Sequence, residues 1–289
     1  MTCERSLTSM LRRGAPIQLM ACHGPLSARL AEEAGFDGVW ASGFELSALN
    51  GLPDVSLVSM SQHLDMTRAV AGRVGVPVVA DVDTGYGNAI NVIHTVEQYE
   101  RAGAAAIVME DKTFPKVTSL VAGGRQELLR VEEFQGKIEA ARDARTTPDF
   151  LIVARNEALI AGLGRDEALR RGHAYEEAGA DLLLIHSKQP SPDEIVEFAR
   201  AWKGAIPLVI VPTAYPQLDI AAIEALGNIR VVIYGNHAIR ACVAAMRDAF
   251  RKIRQSGAAA VEDDIATVAD IFRLQGMDRV RDNEKRYLR

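Results

Sequence analysis

Ala102-Gly103-Ala104-Ala105-Ala106-Ile107-Val108-Met109-Glu110 contains, within nine residues, the unit from which this chain is built. A glycine suits the left-handed cap that ends a helix. An unbroken apolar run follows, of the kind that forms a strand buried on both faces. A carboxylate stands where the run ends. The helix-end phrase recurs at Ala34-Gly35-Phe36-Asp37, Ala178-Gly179-Ala180-Asp181 and Leu226-Gly227-Asn228. Working outward, runs rich in Val, Ile, Leu and Ala stand at residues 17–20, 38–41, 78–81, 106–109, 151–155, 182–185, 208–211 and 231–234. Helix-length segments separate them. Alternating strands and helices imply parallel pairing through right-handed crossovers. Eight such units predict an α/β fold, a (β/α)8 barrel of the TIM type, over an open doubly wound sheet.

The 289 residues are 48% hydrophobic and 25% charged, enough for one large domain with a deep core. No linker divides them, so one barrel domain is expected over residues 1–289, with 256–289 as a C-terminal helical extension. Ile265, Val268, Ile271, Phe272 and Gln275 have helical spacing there, behind acids at 262–264. A greasy helix beyond a finished barrel must bury its face, either on its own barrel or on another subunit. The net charge of -5 argues against nucleic acid as a partner. Cys3, Cys22 and Cys242 lack metal-ligand spacing, and their odd number suits a reducing cytoplasm. No apolar run reaches membrane-spanning length, so no membrane partner is expected.

Catalytic residues of such barrels lie at the C-terminal strand ends. Those ends carry Ser42-Gly43, then Asp81 and Asp83, Glu110, Arg155, His186-Ser187, Thr213 and Asn236. A lone Asp is often a helix N-cap, and Asp83 or Thr84 could cap a helix starting near Asn88. Three acids on neighbouring strand ends would repel one another without a cation, and oxygen donors suit Mg²⁺. Arg155 points into the mouth or pairs with Glu157, and His186 has a bland alternative as a core histidine. Two loops exceed ordinary length: residues 45–59, which carry Asp54 and end in a capping box at Ser59-Met60-Ser61-Gln62, and residues 112–130. The second contains Lys116, Thr118 and a Gly123-Gly124 pair, and reads as a lid that closes over an anionic, phosphate-like substrate.

Four stretches carry a resemblance: Trp40-Ala41-Ser42-Gly43-Phe44-Glu45, Asp81-Val82-Asp83-Thr84-Gly85-Tyr86-Gly87, Glu110-Asp111-Lys112-Thr113-Phe114-Pro115-Lys116 and Val153-Ala154-Arg155. With Ile185-His186-Ser187, Val211-Pro212-Thr213 and Tyr234-Gly235-Asn236-His237, the chain resembles the phosphoenolpyruvate mutase/isocitrate lyase superfamily almost end to end. The resemblance implies Asp81 as a direct Mg²⁺ ligand, with Asp83, Glu110 and Asp54 on the ion's waters and Mn²⁺ or Co²⁺ as substitutes. It implies substrate contacts from Trp40, Ser42, Gly43, Phe44, Asp81, Arg155 and His186, with Lys116 and Thr118 on the lid; Thr118, Lys116, Arg155 and His186 would be catalytic. It also implies a homotetramer, a dimer of dimers that exchanges a C-terminal helix. The superfamily's lyases carry a cysteine in the lid, and this lid has none. Its mutases carry Asn where Thr118 stands. The expectation is therefore hydrolysis of the P–C bond of phosphonopyruvate to pyruvate and phosphate. Phosphoenolpyruvate mutase, a 2-keto or 2-hydroxy acid lyase and a non-catalytic metabolite-binding barrel are the alternatives, in that order.

Overall fold

The computed structural model describes residues 6–121, 123, 124 and 126–289; Cys3 lies outside them. A short helix α1 (Leu7–Leu11) precedes eight repeats of strand and helix. The strands are β1 (Ile17–Cys22), β2 (Gly38–Ala41), β3 (Val78–Asp81), β4 (Ala106–Glu110), β5 (Leu151–Asn156), β6 (Leu182–Ile185), β7 (Leu208–Ile210) and β8 (Ile229–Tyr234). Between them run α2 (Pro25–Glu33), α3 (Gly43–Leu49), α4 (Met60–Ala71), α5 (Ala89–Arg101), α6 (Val131–Ala144), α7 (Gly164–Glu177), α8 (Asp193–Ala201) and α9 (Ile220–Leu226). Each strand pairs in parallel with the next, and β8 returns to β1, so the sheet is a closed barrel. Closure rules out the open doubly wound sheet. Gly103 (φ 90°) and Gly179 (φ 101°) adopt the left-handed conformation that turns a helix into the next strand.

Strand side chains alternate between two cores. Ile17, Leu19, Trp40, Val79, Ala106, Val108, Leu151, Val153, Leu182, Leu184, Val209, Val231 and Ile233 fill the barrel interior. Their neighbours in sequence, among them Val39, Ala80, Ile107, Met109, Ile152, Leu183 and Ile210, pack outward against the helices. Leu7 of α1 joins the interior cluster, and the Arg230 guanidinium donates to the Leu11 carbonyl at 2.7 Å, which holds α1 in place. Two steps beyond the last apolar interior residue of a strand, the same parity gives Ser42, Asp81, Glu110, Arg155 and His186.

Caps decide the remaining boundaries. Ser59 and Gln62 form the expected capping box. Helix α5 is capped by Asn88, so neither Asp83 nor Thr84 is spent on capping. Contacts divide the chain into two compact units, one ending at Ala238 and one spanning Ile239–Arg289. The second contains most of α10 (His237–Ser256), then α11 (Val268–Gln275) and α12 (Met277–Tyr287). Thr267 and Asp270 form a capping box that starts α11 three residues after Ile265, so Ile265, expected within this helix, stands outside it. Lys252 ties α10 to the following turn through Asp264 at 2.6 Å. Phe250, Val268 and Leu288 are 65%, 68% and 74% exposed. No helix among the described residues is long and apolar enough to cross a membrane.

His63 of α4 is buried between two fixed partners, the Tyr99 hydroxyl at 2.8 Å and the Ala41 carbonyl at 3.1 Å. Burial pushes its pKa down from 6.5 to about 4, partly offset by Asp83. The folded state therefore binds the proton less readily than the unfolded chain. This contribution to stability is complete above pH 6.5 and is lost as pH falls towards 4. Between pH 7 and 4.5 it amounts to about 2 kcal/mol. Denaturant titrations should show a shallower loss of stability over that interval for His63→Gln than for the parent; equal slopes would remove His63 as a contributor.

Candidate active site

The mouth of the barrel carries a cavity lined by Trp40, Ser42, Phe44, Asp54, Asp81, Lys116, Thr118, Arg155 and His186, together with Ser119 and Asn236. Nine residues expected at the site thus share one space. Gly43, Asp83 and Glu110 do not line it but stand directly behind it. The Gly43 N–H donates to Asp81 Oδ2 at 3.3 Å, and a Cβ on Gly43 would meet Asp81 Oδ2 at 3.2 Å and Asp83 Oδ1 at 3.3 Å. That close approach is the physical reason for glycine at this position. Ser42 caps α3 by accepting from the Glu45 N–H at 3.1 Å. Asp83 lies just past β3 with a positive φ of 49°, an uncommon conformation for a residue with a side chain. The turn is held by the Glu110 N–H, which donates to the Asp83 carbonyl at 2.8 Å, and by Lys137, which donates to the Thr84 carbonyl at 2.9 Å.

Two clusters of buried charge organise the mouth. In the first, Lys116 reaches down from the lid between Asp83 (2.6 Å) and Asp54 (3.0 Å). Ser56 binds this arrangement from the side: its hydroxyl donates to Asp83 Oδ2 at 3.0 Å and accepts from the Lys116 N–H at 3.2 Å. Burial pushes Asp81 up to about 7, and Lys116 partly offsets that. Burial would raise Asp83 too, but Lys116 and the Ser56 hydroxyl hold it below its ordinary value. Burial lowers Lys116, yet Asp83 and Asp54 outweigh it and keep the ammonium charged.

The second cluster surrounds Glu157, which is fully buried. Oε1 receives Arg155 Nε at 2.5 Å and faces His186 Nδ1 at 3.0 Å. Oε2 receives Ser119 Oγ at 2.6 Å and pairs with Lys112 Nζ at 3.1 Å. Despite burial, Arg155, Lys112 and His186 hold the Glu157 carboxyl well below its usual range. Burial lowers the pKa of His186, partly offset by Glu157, so the imidazole is neutral near pH 7. Arg155 also lies 3.3 Å from Glu110 and so joins the two clusters. Both alternatives for Arg155 thus hold at once: it lines the cavity and it is ion-paired.

The strand-end residues followed from parity, and Glu157 obeys the same rule two residues beyond Arg155. Lys112, Ser119 and Ser56 carried no such signal, because loops have no period; only geometry brings them to the site. The lid springs from a short two-stranded base, where the Thr113 N–H donates to the Glu127 carbonyl at 3.0 Å and the Leu129 N–H to the Asp111 carbonyl at 2.8 Å.

The donor set suits a hard cation. Glu110 is buried with neither carboxylate oxygen hydrogen-bonded, and the Lys116 ammonium stands among the acids as a substitute cation. No three acidic or histidine side chains among the described residues converge tightly enough to ligate one ion directly. A cation here would keep most of its water, as Mg²⁺ does.

Comparison with known proteins agrees with this geometry. The profile of the phosphoenolpyruvate phosphomutase family matches residues 7–254. Phosphonopyruvate hydrolase of Variovorax sp. (strain Pal2) is 58% identical, with all of both chains covered. A crystal structure of phosphonopyruvate hydrolase complexed with oxalate and Mg²⁺ superposes with a TM-score of 0.94 at 56% identity, over 100% of both chains. Phosphoenolpyruvate phosphomutase from Streptomyces platensis subsp. rosaceus superposes with a TM-score of 0.96 at 49% identity, over 98% of each chain. The chain belongs to the phosphoenolpyruvate phosphomutase family.

Removing Lys116 leaves Asp54 and Asp83 without their counter-charge in a largely dry setting. Lys116→Met should lower stability by about 3 kcal/mol, as expected when one partner of a buried pair is lost. Urea denaturation at pH 7 without divalent cations measures this. Unchanged stability would show that water already screens the acids.

Proposed function

We propose that this member of the family hydrolyses the P–C bond of phosphonopyruvate, giving pyruvate and phosphate. The observation that carries the reading is the end-to-end match at 58% identity to a phosphonopyruvate hydrolase. Backbone likeness does not separate the candidates, since the phosphomutase superposes at 0.96 and the hydrolase at 0.94. Identity over the whole chain and the lid side chains favour hydrolysis. The phosphomutase reaction is the second reading.

Asp81 would hold Mg²⁺ directly, with Asp54, Asp83 and Glu110 on its waters; the ion supplies electrostatic stabilisation for oxyanion charge. Ser42, Gly43 and Phe44 hold the pyruvyl oxygens at the start of α3, with Trp40 lining the same cavity. Arg155 and Lys116 neutralise the phosphoryl oxygens, with Lys116 turning from the acids to the substrate. An oxygen nucleophile forms the new O–P bond as the P–C bond breaks: water, which gives phosphate directly, or the Thr118 hydroxyl, which gives a phosphothreonine ester that water then hydrolyses to phosphate and the free hydroxyl. The electron pair of the P–C bond passes into the pyruvate enolate, which takes up a proton to give pyruvate. His186 faces the same space as a neutral group. Thr118 matters because it offers a hydroxyl where the superfamily's mutases present an amide. A mutase must keep water away until the enolate oxygen captures the phosphoryl group, whereas a hydrolase must admit an oxygen in line with the P–C bond.

We further propose that the protein works in the cytoplasm as a homo-oligomer, a dimer of dimers. Free Cys22 and Cys242 support the first. The exposed apolar residues of the C-terminal unit support the second, as surfaces suited to a second copy of the chain. We retain a single functional domain over 1–289, with 256–289 as an extension that assembly covers. Deleting residues 263–289 should lower the assembly mass in light scattering; an unchanged mass would mean that this segment does not mediate assembly.

The direct test incubates the protein with phosphonopyruvate and Mg²⁺ and measures phosphate, pyruvate and phosphoenolpyruvate separately. Phosphate and pyruvate should appear in equal amounts, and accumulation of phosphoenolpyruvate would indicate the mutase instead. Thr118→Asn should depress hydrolysis at least tenfold, about 1.4 kcal/mol of transition-state stabilisation. Oxalate inhibition should change far less. Undiminished hydrolysis by Thr118→Asn would reduce Thr118 to a lid contact.

A further inference from the structure

Four donors from three different segments converge on one buried carboxylate outside the metal and substrate residues named above. Arg155 comes from β5, His186 from the end of β6, and Lys112 and Ser119 from the lid. The two oxygens divide the work. Oε1 serves the two residues that come from the strand ends, and Oε2 serves the two that belong to the lid. The carboxylate itself is fixed from behind, because the Glu157 N–H donates to Asp111 Oδ1 at 2.9 Å. Asp111 is anchored in turn by Arg171 at 3.0 Å and the Tyr175 hydroxyl at 2.5 Å. The lid partners also hold one another, with Lys112 Nζ 2.6 Å from Ser119 Oγ and 2.8 Å from the Val117 carbonyl. Val117 and Ser119 flank Thr118, so this lattice grips the lid on both sides of it.

We propose that Glu157 is a positioning residue: it fixes the orientation of His186 and Arg155 and locks the lid segment carrying Thr118 over them. The inference deepens the hydrolase reading and rests on it. An ionised carboxylate only accepts hydrogen bonds, so the His186 nitrogen facing it at 3.0 Å carries the hydrogen. Arg155 Nη2 lies as close to that nitrogen but has its own acceptor in Ser119 Oγ at 3.0 Å. Nε2 of His186, with no partner among the described residues, then bears the lone pair on a ring that lines the cavity. An acceptor at that place takes the proton of the attacking hydroxyl as the O–P bond forms and the P–C bond breaks into the enolate. The arrangement follows the general logic of a base oriented by a third group.

Two readouts separate positioning from mere support of the fold. Histidine-selective ¹⁵N labelling of the wild-type enzyme, with His186→Gln for assignment, should show His186 protonated at Nδ1 and bare at Nε2. Glu157→Gln keeps the shape but offers an amide in place of the second acceptor. In the folded variant kcat should fall at least about 100-fold with KM for phosphonopyruvate within about threefold, because tautomer and orientation act on the reacting state. Ser119→Ala, which removes only the lid partner, should cost about tenfold, and the double variant should be no worse than Glu157→Gln alone. A folded Glu157→Gln with near-wild-type kcat, or wild-type His186 protonated at Nε2, overturns the proposal. If Glu157→Gln does not fold, the wild-type nitrogen spectrum decides. The wild-type product assay judges the hydrolase reading separately: an enzyme that makes phosphoenolpyruvate fails that reading, while the spectrum still tests Glu157.

Discussion

The two-residue alternation of the strands is the constraint on which the rest of this molecule depends. A barrel interior admits side chains from one face of each strand only. Here Val79, Val108, Val153 and Leu184 fill that interior, and each is followed two positions later by Asp81, Glu110, Arg155 or His186. The change from apolar to charged comes at the C-terminal end of each of these strands, with Glu110 and Arg155 paired in register, where packing ends and the mouth begins. A one-residue slip would turn these groups towards the helices, where no partner could compensate them. Site and core are therefore two parts of one pattern, and the closed register of β3 to β6 places the charges without help from long-range loops.

Placing acids at such a mouth creates the second constraint. Asp81, Asp83, Glu110 and Glu157 are all buried and would repel one another if left alone. The strands themselves supply one fixed cation, Arg155. The remaining counter-charges come from the lid, as Lys116 in one cluster and Lys112 in the other. The segment that covers the mouth is thus also the one that neutralises it. An open lid would leave acids that only water or a metal ion could compensate. This gives a physical reason for a cation requirement and for a lid that carries lysines at both its base and its middle.

The residues legible in the sequence were those governed by a period. All eight strands followed from apolar runs, three of them to the residue, and the strand-end polar groups followed from their parity. Asp54 and Lys116 lie on loops, where no period exists; unusual loop length marks them, and the resemblance supplies their roles. Glu157 was visible to the parity rule but read as the dull partner of Arg155. The tail illustrates the opposite case. The apolar residues of α12, Met277, Val280 and Tyr287, are few among its charges, so its pattern announces a helix only weakly. In α11 a strong Thr267 cap overrode the weaker signal of acids at 262–264.

Chemistry within this family turns on differences smaller than the backbone can register. A phosphomutase and a phosphonopyruvate hydrolase superpose on this chain almost equally well. Both reactions require the same opening step, P–C cleavage into an enolate stabilised at the same mouth. They diverge only in which oxygen meets the phosphoryl group afterwards. That choice rests with whatever stands over the phosphorus, and in this chain Thr118 lines the mouth cavity between two residues held by the Lys112–Ser119–Glu157 lattice. A hydroxyl so held can direct a nucleophile only if its support is rigid, since an angstrom of drift costs in-line geometry. The lattice beneath the lid is as much a part of the specificity as the side chain it presents.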